Sequence, residues 1–178
     1  IAKKHTRVFT SVTPLRWINL TYPYDFKPEL LYKLLTTYNA VRQSFLQQLG
    51  RCVTIMENVV FHRDWNLKNV PICTPGSQEC TEVKVAIVDF EFSDVHNKSV
   101  WTKMMNDKEN RLRQSQGQVR KILDEINIRM QEVRHKEIVW SVKDEKWYSD
   151  AIKATVDEVF AQFKNGSCVY PLESIPVS

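Results

Sequence analysis

Two acidic residues and a carboxamide stand where apolar runs end. Val59-Val60-Phe61 delivers His62-Arg63-Asp64, and Asn69 follows on the same loop. A second run, Val85-Ala86-Ile87-Val88, delivers Asp89, then Phe90 and Glu91. Carboxylate and carboxamide oxygens are the hard ligands that Mg²⁺ takes from proteins beside substrate phosphates. A further Asp can orient or deprotonate an attacking hydroxyl. Asp64, Asn69 and Asp89 therefore predict a centre able to hold divalent metal and a triphosphate.

The elements that must position these groups are mostly helical. Asp25 to Tyr38 reads as a helix with Pro28 and Glu29 in its first turn and Leu30, Leu31, Leu34, Leu35 and Tyr38 on one face. A second helix is expected from Asn39 to Glu57, with Val41, Phe45, Leu46, Leu49, Cys52, Val53 and Met56 at helical spacing. Gly50 interrupts it at a cost of about 1 kcal/mol relative to Ala. The loop His62–Asn69 follows, then a hairpin. Its arms are Val70–Cys73 and Thr81–Val88, and Thr74-Pro75-Gly76-Ser77-Gln78 is the turn. This hairpin would bring Asp64, Asn69 and Asp89 to one end of a small sheet. Ser93 to Asp107 shows no periodicity and suits a mobile segment or surface loop. A long amphipathic helix is expected from Lys108 to Arg134, carrying Leu112, Val119, Ile122, Leu123, Ile126, Met130 and Val133. A last helix runs from Ser149 to Lys164, closed by Asn165-Gly166. Trp17, Tyr22 and Tyr24 fall in a connector punctuated by Pro14, Pro23 and Pro28.

His-Arg-Asp-x-x-x-x-Asn followed by Asp-Phe resembles the catalytic loop and metal motif of the protein-kinase-like superfamily. The resemblance implies that Asp64 is the catalytic aspartate, Asn69 and Asp89 bind metal and nucleotide, and His62 braces the loop. Lys68 falls where tyrosine kinases place an Arg and would help neutralise the transferred phosphoryl group. Mg²⁺ and ATP are the implied cofactors, and the acceptor is a hydroxyl on a protein or a small molecule. The implied fold is mainly α with a small β hairpin: a kinase-like large lobe lacking most of the small lobe. It forms one domain over residues 1–178. Within it, 1–14 is a remnant strand and hinge, with adenine held near Ser11 to Leu15. Residues 25–92 carry helices, catalytic loop and metal motif, and 108–166 the C-terminal helices.

Three departures shape that expectation. Glu91 stands where protein kinases have Gly, as in choline-kinase-like and aminoglycoside-type phosphotransferases. Asn66 replaces the Lys of serine/threonine kinases. No Ala-Pro-Glu follows Asp89. His-Arg-Asp itself is similar to protein-acceptor enzymes, including the divergent kinase-like proteins of fungi. The four glycines, Gly50, Gly76, Gly117 and Gly166, form no Gly-x-Gly-x-x-Gly, and no Lys matches the ATP-positioning lysine. An upstream or partner small lobe would have to supply both. The alternative is a pseudokinase, or a truncated kinase-fold module that binds protein without catalysis. A metal-dependent hydrolase would need further ligands, and His5, His96 and His135 lack ligand spacing.

Length and composition agree with one soluble core: 178 residues, 43% hydrophobic and 26% charged. The net charge of +4 suits a polyphosphate ligand. No basic block marks a nucleic-acid binder, and no apolar run is long enough to span a membrane. Ile1 in place of an initiator Met is read as a fragment or processed product. Cys52, Cys73, Cys80 and Cys168 lack metal spacing. Cys52 is expected as a buried thiol, and Cys73 and Cys80 as free thiols that a hairpin could bring together. The three Asn-x-Ser/Thr matches, at Asn19, Asn97 and Asn165, are read as chance. These features imply an intracellular, cytoplasmic setting.

Overall fold

The computed structural model describes residues 16–61, 66–76, 81–88, 94–95, 103 and 106–164. Among them the chain is mainly helical, with a small antiparallel sheet. The order is β1 (Trp17–Asn19), α1 (Pro28–Thr37), α2 (Asn39–Asn58), β2 (Val60–Phe61), a 3₁₀ turn (Leu67–Asn69), β3 (Ile72–Pro75), β4 (Lys84–Val85), β5 (Asp94–Val95), α3 (Lys108–Glu132) and α4 (Val142–Lys164).

α2 is the axis of the molecule. Every apolar position expected on its face is buried, and from Cys52 to Asn58 it is buried all round. A helix enclosed on every side lies inside the core rather than on it. α1, α3 and α4 pack against it, and β4 lies along it. Gly50 explains how α4 comes so close. A Cβ there would lie 2.8 Å from the Tyr148 carbonyl oxygen, so the residue that weakens the helix is the one that permits the crossing.

α1 starts with Pro28 at its first turn and buries Leu31, Leu34 and Leu35. Leu30 stays 37% exposed, so the apolar face is narrower than its spacing predicts. α3 buries Val119, Ile122, Leu123, Ile126 and Met130, while Val133, expected on the same stripe, is 49% exposed. The helix has already ended there. Arg134 turns left-handed at φ 57°, and the amides of Arg134 and His135 close back on the Gln131 and Met130 carbonyls at 2.9 Å each. That is a Schellman stop with Arg where Gly is usual. Asn127 then fixes the connector. Its side-chain amide both donates to and accepts from the backbone of buried Ile138, at 2.8 Å each way.

α4 begins seven residues before the expected Ser149. The signal was Ser141-Val142-Lys143-Asp144. The Ser141 Oγ accepts from the Asp144 amide at 3.2 Å, and Asp144 Oδ2 accepts from the Ser141 amide at 2.6 Å. These reciprocal bonds satisfy two amides at the helix start. Trp147 and Tyr148 are therefore helical.

The expected hairpin is a three-stranded sheet in the order β1-β3-β4. Trp17–Asn19 is its added strand and not a plain connector, with Ile18 opposite Thr74. β3 extends through Pro75, and the ladder of β4 is only two residues long, with Ile72 opposite Val85. Gln48 of α2 covers β4, donating to the Val83 carbonyl at 2.7 Å and accepting from the Val85 amide at 3.0 Å. β2 and β5 form a separate pair, Val60 opposite Val95, and β5 falls inside Ser93 to Asp107, which shows no readable period. The expected strand and hinge before Arg16, and the helix-closing Asn165-Gly166, lie outside the described residues. Among the described residues no helix is long and apolar enough to cross a membrane.

Candidate functional site

The expected site residues that are described lie on the turn between β2 and β3, beside α3. α2 leads directly into β2, and the 3₁₀ turn follows. Asn69 ends that turn with its side chain buried, 4% exposed. Its amide donates to the Asn66 carbonyl at 3.0 Å, which closes the turn. From there the two arms of the hairpin stay joined beyond the formal strands. The Ala86 amide donates to the Pro71 carbonyl and the Val88 amide to the Asn69 carbonyl, both at 3.0 Å. The backbone of Asn69 is thus bonded to the residue immediately before Asp89.

Lys68 is exposed, one position from buried Asn69, because successive residues of a tight turn face different ways. His62, Asp64, Asp89 and Glu91 lie outside the described residues. Of the five expected site residues His62, Asp64, Lys68, Asn69 and Asp89, Lys68 and Asn69 are therefore described, and the structure joins the backbone of Asn69 to Val88. Among the described residues no group of three or more His, Cys, Asp or Glu side chains could hold a metal ion. Asn69 is the single expected metal ligand within that set.

The same turn is gripped from α3. Leu67 donates its amide to Glu125 Oε2 at 2.7 Å. Arg129, one helical turn on, donates to the Pro23 carbonyl at 2.8 Å. Its guanidinium also lies 5.4 Å from the centre of the Phe26 ring. These contacts tie turn, connector and helix around a cleft of about 350 Å³ lined by Thr21, Pro23, Asn66, Leu67, Lys68, Glu125 and Arg129. Sequence reasoning missed Glu125 and Arg129 altogether. Both sit on the half-polar flank of an amphipathic helix, where their spacing looks like any solvated face. It also missed Glu57 and Asn58, buried at the end of α2 immediately ahead of the loop.

Neither cysteine near the site has reactive character. Burial pushes the Cys52 thiol up to about 12, against a smaller opposing pull from Arg51. Cys73 is likewise raised by burial, with Lys84 opposing. A low thiolate fraction excludes both as nucleophiles near neutral pH. Cys80 and Cys168 lie outside the described residues.

Comparison with protein-family models, with curated proteins and with solved structures returned no match. The functional reading therefore rests on the residues and their geometry.

Proposed function

We propose that this chain is the large lobe of a kinase-like phosphotransferase that binds Mg-ATP and passes a phosphoryl group to a hydroxyl acceptor. One observation carries the reading: the Val88 amide bonded to the Asn69 carbonyl. The bond holds the described end of the return arm, one residue before Asp89 in sequence, against the turn carrying Asn69. An Asn carboxamide and an Asp carboxylate are an oxygen-only donor set, and such a set fits Mg²⁺.

In this proposal Asn69 and Asp89 would hold the metal, which would supply charge neutralisation at the nucleotide phosphates. Asp64 orients the acceptor hydroxyl and takes its proton. His62 braces the loop, and Lys68 at its exposed edge offsets charge on the transferred group. Phosphoryl transfer depends on positioning and electrostatics more than on covalent chemistry. A turn closed by its own hydrogen bond and held by Val88 and Glu125 supports the reading at Lys68 and Asn69. The phosphate-covering loop and the ATP-positioning lysine are assigned to a small lobe on a longer chain or on a partner.

The test is calorimetry with Mg-ATP. Metal-dependent heat is expected from the chain and should be lost in Asp89→Ala and Asn69→Ala. No heat from the unsubstituted chain removes the phosphotransferase reading and leaves a kinase-fold module that binds protein without nucleotide.

A further inference from the structure

The cleft beside the turn has the wrong lining for a small molecule. Small-molecule sites are mostly apolar, with a few placed polar groups. Here Pro23 and Leu67 are the apolar members, while Thr21, Asn66, Lys68, Glu125 and Arg129 are polar or charged. Two cations face it from different elements. Lys68 comes from the turn and is exposed, with no hydrogen-bond or ion-pair partner among the described residues. Arg129 comes from α3. It commits one terminal nitrogen to Pro23 and reaches Glu132 through Nε at 3.7 Å. A guanidinium carries five donors, so several remain. Glu125, the carboxylate in the lining, has one oxygen engaged by the Leu67 amide at 2.7 Å.

The connector through Pro23 adds a second feature. Tyr22 and Tyr24 flank the lining residue Pro23 and meet edge to face at 5.8 Å between ring centres. They are 50% and 91% exposed. Exposed aromatics next in sequence to a residue of a polar cleft with two cations suit an extended chain laid across the surface better than an enclosed ligand.

We infer that this cleft is a docking subsite for an acidic polypeptide segment, with Lys68 and Arg129 receiving its carboxylates. The inference rests on the proposed function for one step. The cleft is lined by Asn66, Leu67 and Lys68, which follow Asp64 in sequence, and in the proposed function Asp64 takes the proton of the acceptor hydroxyl. The acceptor is then a protein whose phosphorylatable residue lies among Asp or Glu.

The test is fluorescence anisotropy with three labelled serine peptides, flanked by glutamate, alanine or lysine, without nucleotide. The glutamate peptide is expected to bind the unsubstituted chain best. Loss of one exposed cation weakens such pairing by roughly fivefold, so Lys68→Ala and Arg129→Ala should each show about that loss. Lys68→Glu should show more, and Lys68→Arg should retain binding. Because Arg129 also holds Pro23, its variant is checked by circular dichroism, while exposed Lys68 carries the test without risk to folding. Equal binding of the three peptides, or no effect of Lys68→Glu, overturns the inference even if Mg-ATP binds. Competition by free glutamate or inorganic phosphate as effective as the peptide overturns the polypeptide assignment. Selective peptide binding with no Mg-ATP heat keeps the acidic docking site and removes phosphoryl transfer instead.

Discussion

Glu125 on α3 accepts a 2.7 Å hydrogen bond from the backbone amide of Leu67, across 58 residues of sequence. A long helix is thereby fastened to the turn that carries Lys68 and Asn69. Leu67 is itself buried, but its amide faces the cleft, so water can partly replace a lost partner. Glu125→Ala should cost about 1 kcal/mol, the low end for orphaning a buried donor. Glu125→Gln keeps an acceptor oxygen and should cost less. Urea denaturation of the pair checks the difference. In the proposed function Glu125→Ala also weakens Mg-ATP binding more than Glu125→Gln does.

Three backbone positions predict opposite signs. Gly117 lies mid-helix in α3 with nothing within 4 Å of a Cβ, so Gly117→Ala should stabilise by about 1 kcal/mol. Gly50→Ala gains the same propensity but drives a methyl to 2.8 Å from the Tyr148 carbonyl. Overpacking costs about 1–3 kcal/mol, and because backbone is the obstacle the net change should be destabilising. Arg134→Gly relieves a left-handed residue at φ 57° and should stabilise by up to about 1 kcal/mol. Thermal unfolding of the three variants separates these effects. A destabilised Gly117→Ala together with a neutral Gly50→Ala would refute the packing described here.

Arg42 and Asp144 form the most enclosed ion pair among the described residues, at 15% and 2% side-chain exposure. Arg42 Nε donates to Oδ1 at 2.8 Å, and its terminal nitrogens also reach the Leu35 and Val139 carbonyls. Burial pushes the Asp144 carboxyl up. The hydrogen bonds from Arg42 and Ser141, with the guanidinium charge, outweigh that and hold it below its usual range. Unfolded, the group binds its proton near pH 4. The pair's contribution is therefore complete above that pH and is lost as pH falls toward the lower folded value. Arg42→Met should cost about 3–5 kcal/mol at neutral pH by leaving a buried carboxylate unpaired. In Asp144→Asn the acid limb of stability below pH 4 should flatten. Denaturation midpoints across pH 2–7 would show both.

Cys52, pushed by burial to about 12, should resist thiol reagents in the native protein at pH 8. Peptide mapping after maleimide labelling should find it modified only once denaturant is added. Native labelling as fast as a free thiol would contradict its burial inside the α2 face.

The sequence by itself determined the helices and their inward faces. Phe45, Leu46, Leu49, Cys52 and Val53 are buried as their spacing requires, and Ile122, Ile126 and Met130 follow the same rule. Helical periodicity is a local property, written in residues three and four apart. The loop and hairpin signals also put Asn69 ahead of a return strand, and the structure ends a 3₁₀ turn at that residue. Periodicity lost Trp17–Asn19 and β5 because two or three residues carry no measurable period. It put the start of α4 too late because Ser141 and Asp144 cap a turn that is otherwise polar.

Only the tertiary structure decided which distant groups meet. The Val88–Asn69 bond, the grip of Glu125 on Leu67 and the pairing of Arg42 with Asp144 across 102 residues join segments whose local patterns carry no information about one another. Gly50 shows the physical reason most directly. Read alone it is a flaw in a helix, and its use exists only once α4 lies across it at a distance no side chain would allow. A periodic pattern records which face of an element is buried, whereas the partner on that face is chosen by close packing of the whole chain.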